Sequence, residues 1–146
     1  MASQLEHDAK KLCYLSALLF FLAAVTGLLV SAAFTKKVTA NPHYMLASHL
    51  NALMGCFWLL GVAFTLKWVR LSGQTLALLL ITSVVAAYAN WLVTLFKSFM
   101  DVPGIDFVGD TRNDFIFIVL TITVVVPTFV SAWLWLVGLK NGLRNG

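Results

Sequence analysis

A chain of 146 residues that is 60% hydrophobic and only 11% charged is too apolar for a water-soluble domain, in which about a quarter of the residues carry charge. Its net charge of +4 comes from scattered lysines and arginines rather than a basic run, which excludes a nucleic-acid surface and suits contacts with anionic headgroups. The apolar residues gather into four continuous stretches, each near the ~20 residues that a helix rising about 1.5 Å per residue needs to cross about 30 Å of hydrocarbon. Barrel strands would alternate and be about half as long. The sequence therefore predicts an all-α integral membrane protein, a four-helix transmembrane bundle forming a single transmembrane domain over residues 1–146.

The first predicted span runs from about Leu12 to Phe34, too long and without the small-residue cleavage site of a removable signal peptide. Within it Ala23, Gly27 and Ser31 recur at four-residue spacing, a face on which a second helix could approach closely. The second span runs from about Met45 to Leu66 and carries a similar face at Ser48, Ala52 and Cys56. Cys13 and Cys56 sit at different depths, so no disulfide is expected between them. The third span, about Gln74 to Phe96, carries a polar stripe of Ser83, Asn90, Thr94 and Lys97 at helical spacing. The connection from Lys97 to Asp114 holds Pro103, Gly104, Gly109 and a group of aspartates, turn chemistry that places it outside the membrane as a lid. The fourth span, about Phe115 to Leu139, contains Pro127, which removes a helical donor and predicts a kink.

Lysines and arginines near the span ends set the orientation. Lys10, Lys11, Lys67, Arg70, Lys140 and Arg144 fall on the side of both termini, against Lys36, Lys37, Lys97 and Arg112 opposite. The expected arrangement is a multi-pass protein of the cell membrane with cytoplasmic termini.

Ionisable and strongly polar groups inside a span are costly and mark candidate sites. His49 lies about one turn inside the second helix, and Asn90 a similar depth inside the antiparallel third. At about 1.5 Å per residue both sit roughly 6 to 9 Å below the same surface, where they could share a pocket with Asn51 and Asp114 nearby. One histidine cannot build a zinc site, which wants three or four protein ligands. It can be the axial ligand of a haem, or simply a hydrogen-bonded contact to a neighbouring helix. Likewise Asn90 is either a substrate contact or interhelical glue. A small multidrug transporter is disfavoured, because no Asp or Glu lies in the first three predicted spans to couple protons. A non-enzymatic haem or scaffold protein of the membrane stays open.

The run Asn41-Pro42, Leu46-Ala47-Ser48-His49-Leu50 and Met54-Gly55, with Tyr88-Ala89-Asn90-Trp91-Leu92 in the third span, resembles the hydroxylaminobenzene mutases. The same skeleton, with Asp114 before Phe115-Ile116-Phe117, resembles the styrene oxide isomerases. The resemblance implies a membrane isomerase or mutase acting on a small apolar aromatic substrate. It implies haem b with His49 on the iron, a homotrimer, and Asn90, Thr94, Asn51 and Asp114 as candidate catalytic residues. Ferric haem would act as a Lewis acid on the substrate oxygen in a redox-neutral rearrangement, epoxide to aldehyde or arylhydroxylamine to aminophenol. Phe57, Trp58 and Trp91 are expected to keep the site dry. Styrene oxide isomerases carry an asparagine where Gly55 stands here and a tyrosine where Thr94 stands, so the resemblance implies the reaction class rather than either substrate.

Overall fold

The computed structural model describes residues 2–144. Its helices are α1 (Ala2–Phe34), α2 (Pro42–Thr65), α3 (Gly73–Met100), α4 (Thr111–Leu120) and α5 (Val126–Arg144), with a 3₁₀ turn at Leu66–Trp68 and a π turn at Thr121–Val125. The segment from Thr111 to Arg144 forms one continuous span, so among the described residues four helices are long and apolar enough to cross a membrane.

Local chemistry fixes the helix ends. Asn41 caps α2, its side chain accepting from the backbone N–H of His43 and Tyr44, with Pro42 preset for the first turn. Ser72 caps α3 by accepting from Thr75 N–H, and Asp110 caps α4 by accepting from Asn113 N–H. α1 ends through Lys36 at a left-handed φ of 57°, which turns Lys37 N–H back to Ala32 O at 2.8 Å. Asp101, at φ 53°, ends α3 in the same way.

α2 is the central element, with 39% of its most apolar stretch buried against 11% for the fourth span. α1 packs on one side of it and α3 on the other, while α4 and α5 lie against α3. Since apolar side chains gain little by leaving lipid for another helix, close approach and interhelical hydrogen bonds hold such a bundle. Both are present. Gly55 sits so close to α1 and α3 that a Cβ there would lie 3.0 Å from Leu19 and 3.1 Å from Ala87. Ser16 donates to Cys56 O at 3.0 Å, Ser48 to Trp91 O at 2.9 Å, and the Tyr88 hydroxyl to Leu15 O at 2.7 Å. The indoles of Trp91 and Trp135 donate to Thr26 and Thr65. Leu12, Leu19, Ala23, Ala52, Leu59, Val62, Ala63 and Ala87 fill the core between these bonds. Cys13 and Cys56 are both free thiols.

Gln4, Leu5 and Asp8 line one cleft with Gly73 and Leu76, and Arg70 N–H donates to Gly138 O at 2.9 Å. The start of α1 and the last turns of α5 therefore lie at the same end of the bundle.

Two expectations change. The third helix runs past Phe96 to Met100 and the fourth begins at Thr111, so the connection is Asp101–Asp110, shorter than the Lys97–Asp114 stretch that its charges suggested. Lys97 reads as a span end but lies inside α3, only 9% exposed. Its ammonium reaches out to Pro103 O at 2.8 Å and lies 4.7 Å from the centre of the Tyr44 ring. Ahead of Pro127, the chain departs from α geometry as a π turn, in which Val126 N–H bonds to Thr121 O. Thr121 and Thr123 donate their hydroxyls to the carbonyls of Phe117 and Val119, the kind of local adjustment that accommodates a proline within a span.

Candidate functional site

The sequence placed its polar residues at one end of the bundle, and the structure divides them between two faces of α2. Successive helical residues turn by about 100°, so His49 and Asn51, two apart, face nearly opposite ways.

His49 turns toward α1. Its Nδ1 lies 2.8 Å from Ala23 O, and a carbonyl can only accept, so in the neutral ring the proton is on Nδ1 and the lone pair is on Nε2. Gly27 makes room for the ring: a Cβ there would come within 3.2 Å of His49 Cε1. The small-residue face on α1 is thus a contact face through Ala23 and Gly27, whereas Ser31 is exposed. On α2 the matching face of Ser48, Ala52 and Cys56 is buried. A histidine bonded to a neighbouring helix through one nitrogen keeps the other for coordination, and this bond is the kind that orients metal-binding imidazoles. The donor set therefore fits an axial ligand of a haem.

Asn51 turns toward α3. Its Nδ2 donates to Asn90 Oδ1 at 3.0 Å and to Thr94 Oγ1 at 3.1 Å. These three of the expected site residues form one cluster; Asn51 and Asn90 are half-buried and Thr94 is 4% exposed. His49 stands apart from it across α2, which revises the expectation of one pocket shared by His49 and Asn90 within a single chain.

Asp114 lies in the first turn of α4, accepting from Val108 N–H at 3.0 Å and from Asn113 Nδ2 at 3.1 Å. Its carboxylate ties down the connection. Asn113, which the sequence reading passed over, is the centre of that connection: 2% exposed, it accepts from Gly104 N–H and donates to Asp106 O, both at 2.7 Å. Its position three residues after the helix cap was the available signal. Asn41 Nδ2 adds a bond to Asp101 at 2.7 Å, joining the connection to the start of α2.

The expected aromatic lining is also rearranged. Phe57 is 62% exposed on the outside of the bundle. Trp58 packs edge-on against Trp135, 5.1 Å between ring centres, and Trp91 is tied to Thr26 on α1. The three rings do not form one lining, because residues 57 and 58 are separated by about 100° around one helix.

Comparison with known proteins bears on the same residues. Residues 8–140 match the family described as styrene oxide isomerase. Hydroxylaminobenzene mutase HabB of Ectopseudomonas oleovorans is 36% identical over 98 residues, which cover 66% of this chain and 55% of that protein. The chain thus spans about half the length of the curated relative it matches. No solved structure matches. With the match running through all four helices and both faces of α2, the chain belongs to the styrene oxide isomerase family.

Proposed function

We propose that this protein is a membrane isomerase that rearranges a small apolar aromatic substrate without net oxidation or reduction, with haem b held by His49. The observation that carries the reading is the tautomer imposed on His49: Ala23 O accepts a hydrogen bond from Nδ1–H, which keeps the proton on Nδ1 and leaves the Nε2 lone pair for a ligand. Bound there, ferric haem supplies a Lewis acid toward a substrate oxygen. Asn90, Thr94 and Asn51 hold the substrate by its polar end, and α2 and α3 keep that end at hydrocarbon depth, where bulk water does not compete for a cationic fragment. Asp114 acts at a distance from the reacting atoms by holding the outer connection in place.

The protein works as a homotrimer in this reading. His49 and the Asn51 cluster lie on opposite sides of α2, so a neighbouring copy supports the reaction centre by bringing one protomer's imidazole beside another's amides. The cell membrane is its location, with the termini cytoplasmic, in keeping with the excess of Lys10, Lys11, Lys67, Arg70, Lys140 and Arg144 at that end.

The test is a visible spectrum of the purified protein, followed by product analysis with styrene oxide and phenylhydroxylamine. A Soret band that disappears in His49→Ala, together with an isomeric product from at least one substrate, is the expected result. A colourless wild-type protein would remove the haem; absence of any isomeric product would remove the activity.

A further inference from the structure

The cluster on the α3 side of α2 can be resolved by functional group. Asn51 uses its Nδ2 twice, on Asn90 Oδ1 and on Thr94 Oγ1. Three polar groups then stay uncommitted: the Asn51 carbonyl, the Asn90 NH2 and the Thr94 hydroxyl hydrogen. The threonine is distinctive. Thr26, Thr65, Thr82, Thr121 and Thr123 each donate to the carbonyl four residues back; Thr94 instead receives a bond from a neighbouring helix.

Two of these groups are also reachable. Among the described residues the buried side-chain polar atom without a partner is Ser83 Oγ, so the free ends of Asn51 and Asn90 are open to a molecule arriving at the bundle surface. At hydrocarbon depth an amide without a partner is costly, which favours a ligand that meets all three groups. None of the three is charged. The ligand that fits is neutral, with an oxygen that accepts from Asn90 and Thr94 and, beside it, an N–H or O–H that donates to Asn51.

We propose that the Asn51 carbonyl is the specificity-determining group of this site and that it selects an N-hydroxyarylamine over an aryl epoxide. An epoxide has the accepting oxygen but no donor, so it leaves Asn51 Oδ1 without a partner at a depth where that is costly. Sites that hydrogen-bond a substrate N–H or O–H discriminate strongly against analogues lacking it, for that reason. The rearrangement it serves is balanced within the substrate: the N–O bond breaks, a ring C–O bond forms, the ring carbon releases a proton and the nitrogen takes one up. The inference rests on the isomerase reading above.

The experiment compares kcat/KM for phenylhydroxylamine and styrene oxide in wild-type protein, Asn51→Leu and Asn51→Asp. Wild type is expected to favour phenylhydroxylamine by about tenfold or more. Asn51→Leu, close in size but without the carbonyl, is expected to reduce that ratio by about tenfold through loss on phenylhydroxylamine; Asn51→Asp, which keeps an acceptor, retains more of the preference. Wild-type protein supplies a second measurement that depends on no variant folding: N,O-dimethyl-N-phenylhydroxylamine, which keeps the oxygen and loses both donors, should compete at least about tenfold more weakly than phenylhydroxylamine binds. Equal losses on both substrates in Asn51→Leu, or equal competition by the dimethyl compound, overturn the specificity role and leave the isomerase standing. Turnover of neither substrate by wild type overturns both.

Discussion

The two faces of α2 solve different problems with residues two positions apart. Toward α1, His49 is fixed by one backbone carbonyl and by the empty space at Gly27, so its geometry depends on main chain and on the absence of a side chain. Toward α3, Asn51 is held by two side chains, Asn90 and Thr94, so its geometry depends on what those positions carry. The first arrangement tolerates sequence change around it so long as α1 stays close and Gly27 stays a glycine. The second can be retuned by single substitutions, which is where differences in substrate would accumulate within one family.

The comparison can be broken most sharply at His49. His49→Ala should abolish the Soret band and reduce isomerase activity by at least about a hundredfold, the scale on which loss of a transition-state stabilising group is felt. Absorbance and turnover, measured on one preparation, must fall together. Asn90→Ala acts on the other face: turnover should drop by about a hundredfold, the lower end of what loss of a charge-stabilising donor costs, while the Soret band keeps its position and intensity. A spectral change in Asn90→Ala would mean that the faces are not independent.

Gly55→Asn sharpens the contrast in a different way. It introduces the side chain that styrene oxide isomerases carry at this position, yet here the Cβ alone would press on Leu19 and Ala87. The expected outcome is a loss of about 1–3 kcal/mol, read as earlier thermal unfolding in detergent, rather than a gain of epoxide turnover. The smallest effect is expected for Thr26→Val, which leaves the Trp91 indole N–H without its partner; interhelical bonds of this kind are worth about 0.6–1.7 kcal/mol in membranes, and the same unfolding assay would register it.

The four spans could be read from the sequence because each apolar run is long and uninterrupted, and length against bilayer thickness is a strong constraint. The common depth of His49, Asn51 and Asn90 followed from counting residues along antiparallel helices, but not that Asn51, rather than His49, meets Asn90 and Thr94. Rotation about the helix axis was harder. His49 and Asn51 are at one depth, and only knowing that α1 lies on one side of α2 and α3 on the other separates them. The same ignorance grouped Phe57, Trp58 and Trp91 into one lining, although Phe57 faces outward, Trp58 packs on Trp135 and Trp91 bonds to Thr26. The third connection was read too long because Lys97 looks like a residue at a water interface; its ammonium does reach that level, but along a stem that leaves the backbone a turn inside α3.

Asn113 gives the outer connection a character that its aspartates and glycines conceal. One buried amide stitches Gly104, Asp106 and Asp114 together, while Lys97 and Asn41 fasten the near end of the same segment. Swinging such a cover aside would mean rupturing most of these bonds at once. An oily molecule already dissolved among the acyl chains faces no such toll if it slips between helices from the side, and the polar amides then serve as its first foothold on leaving the lipid.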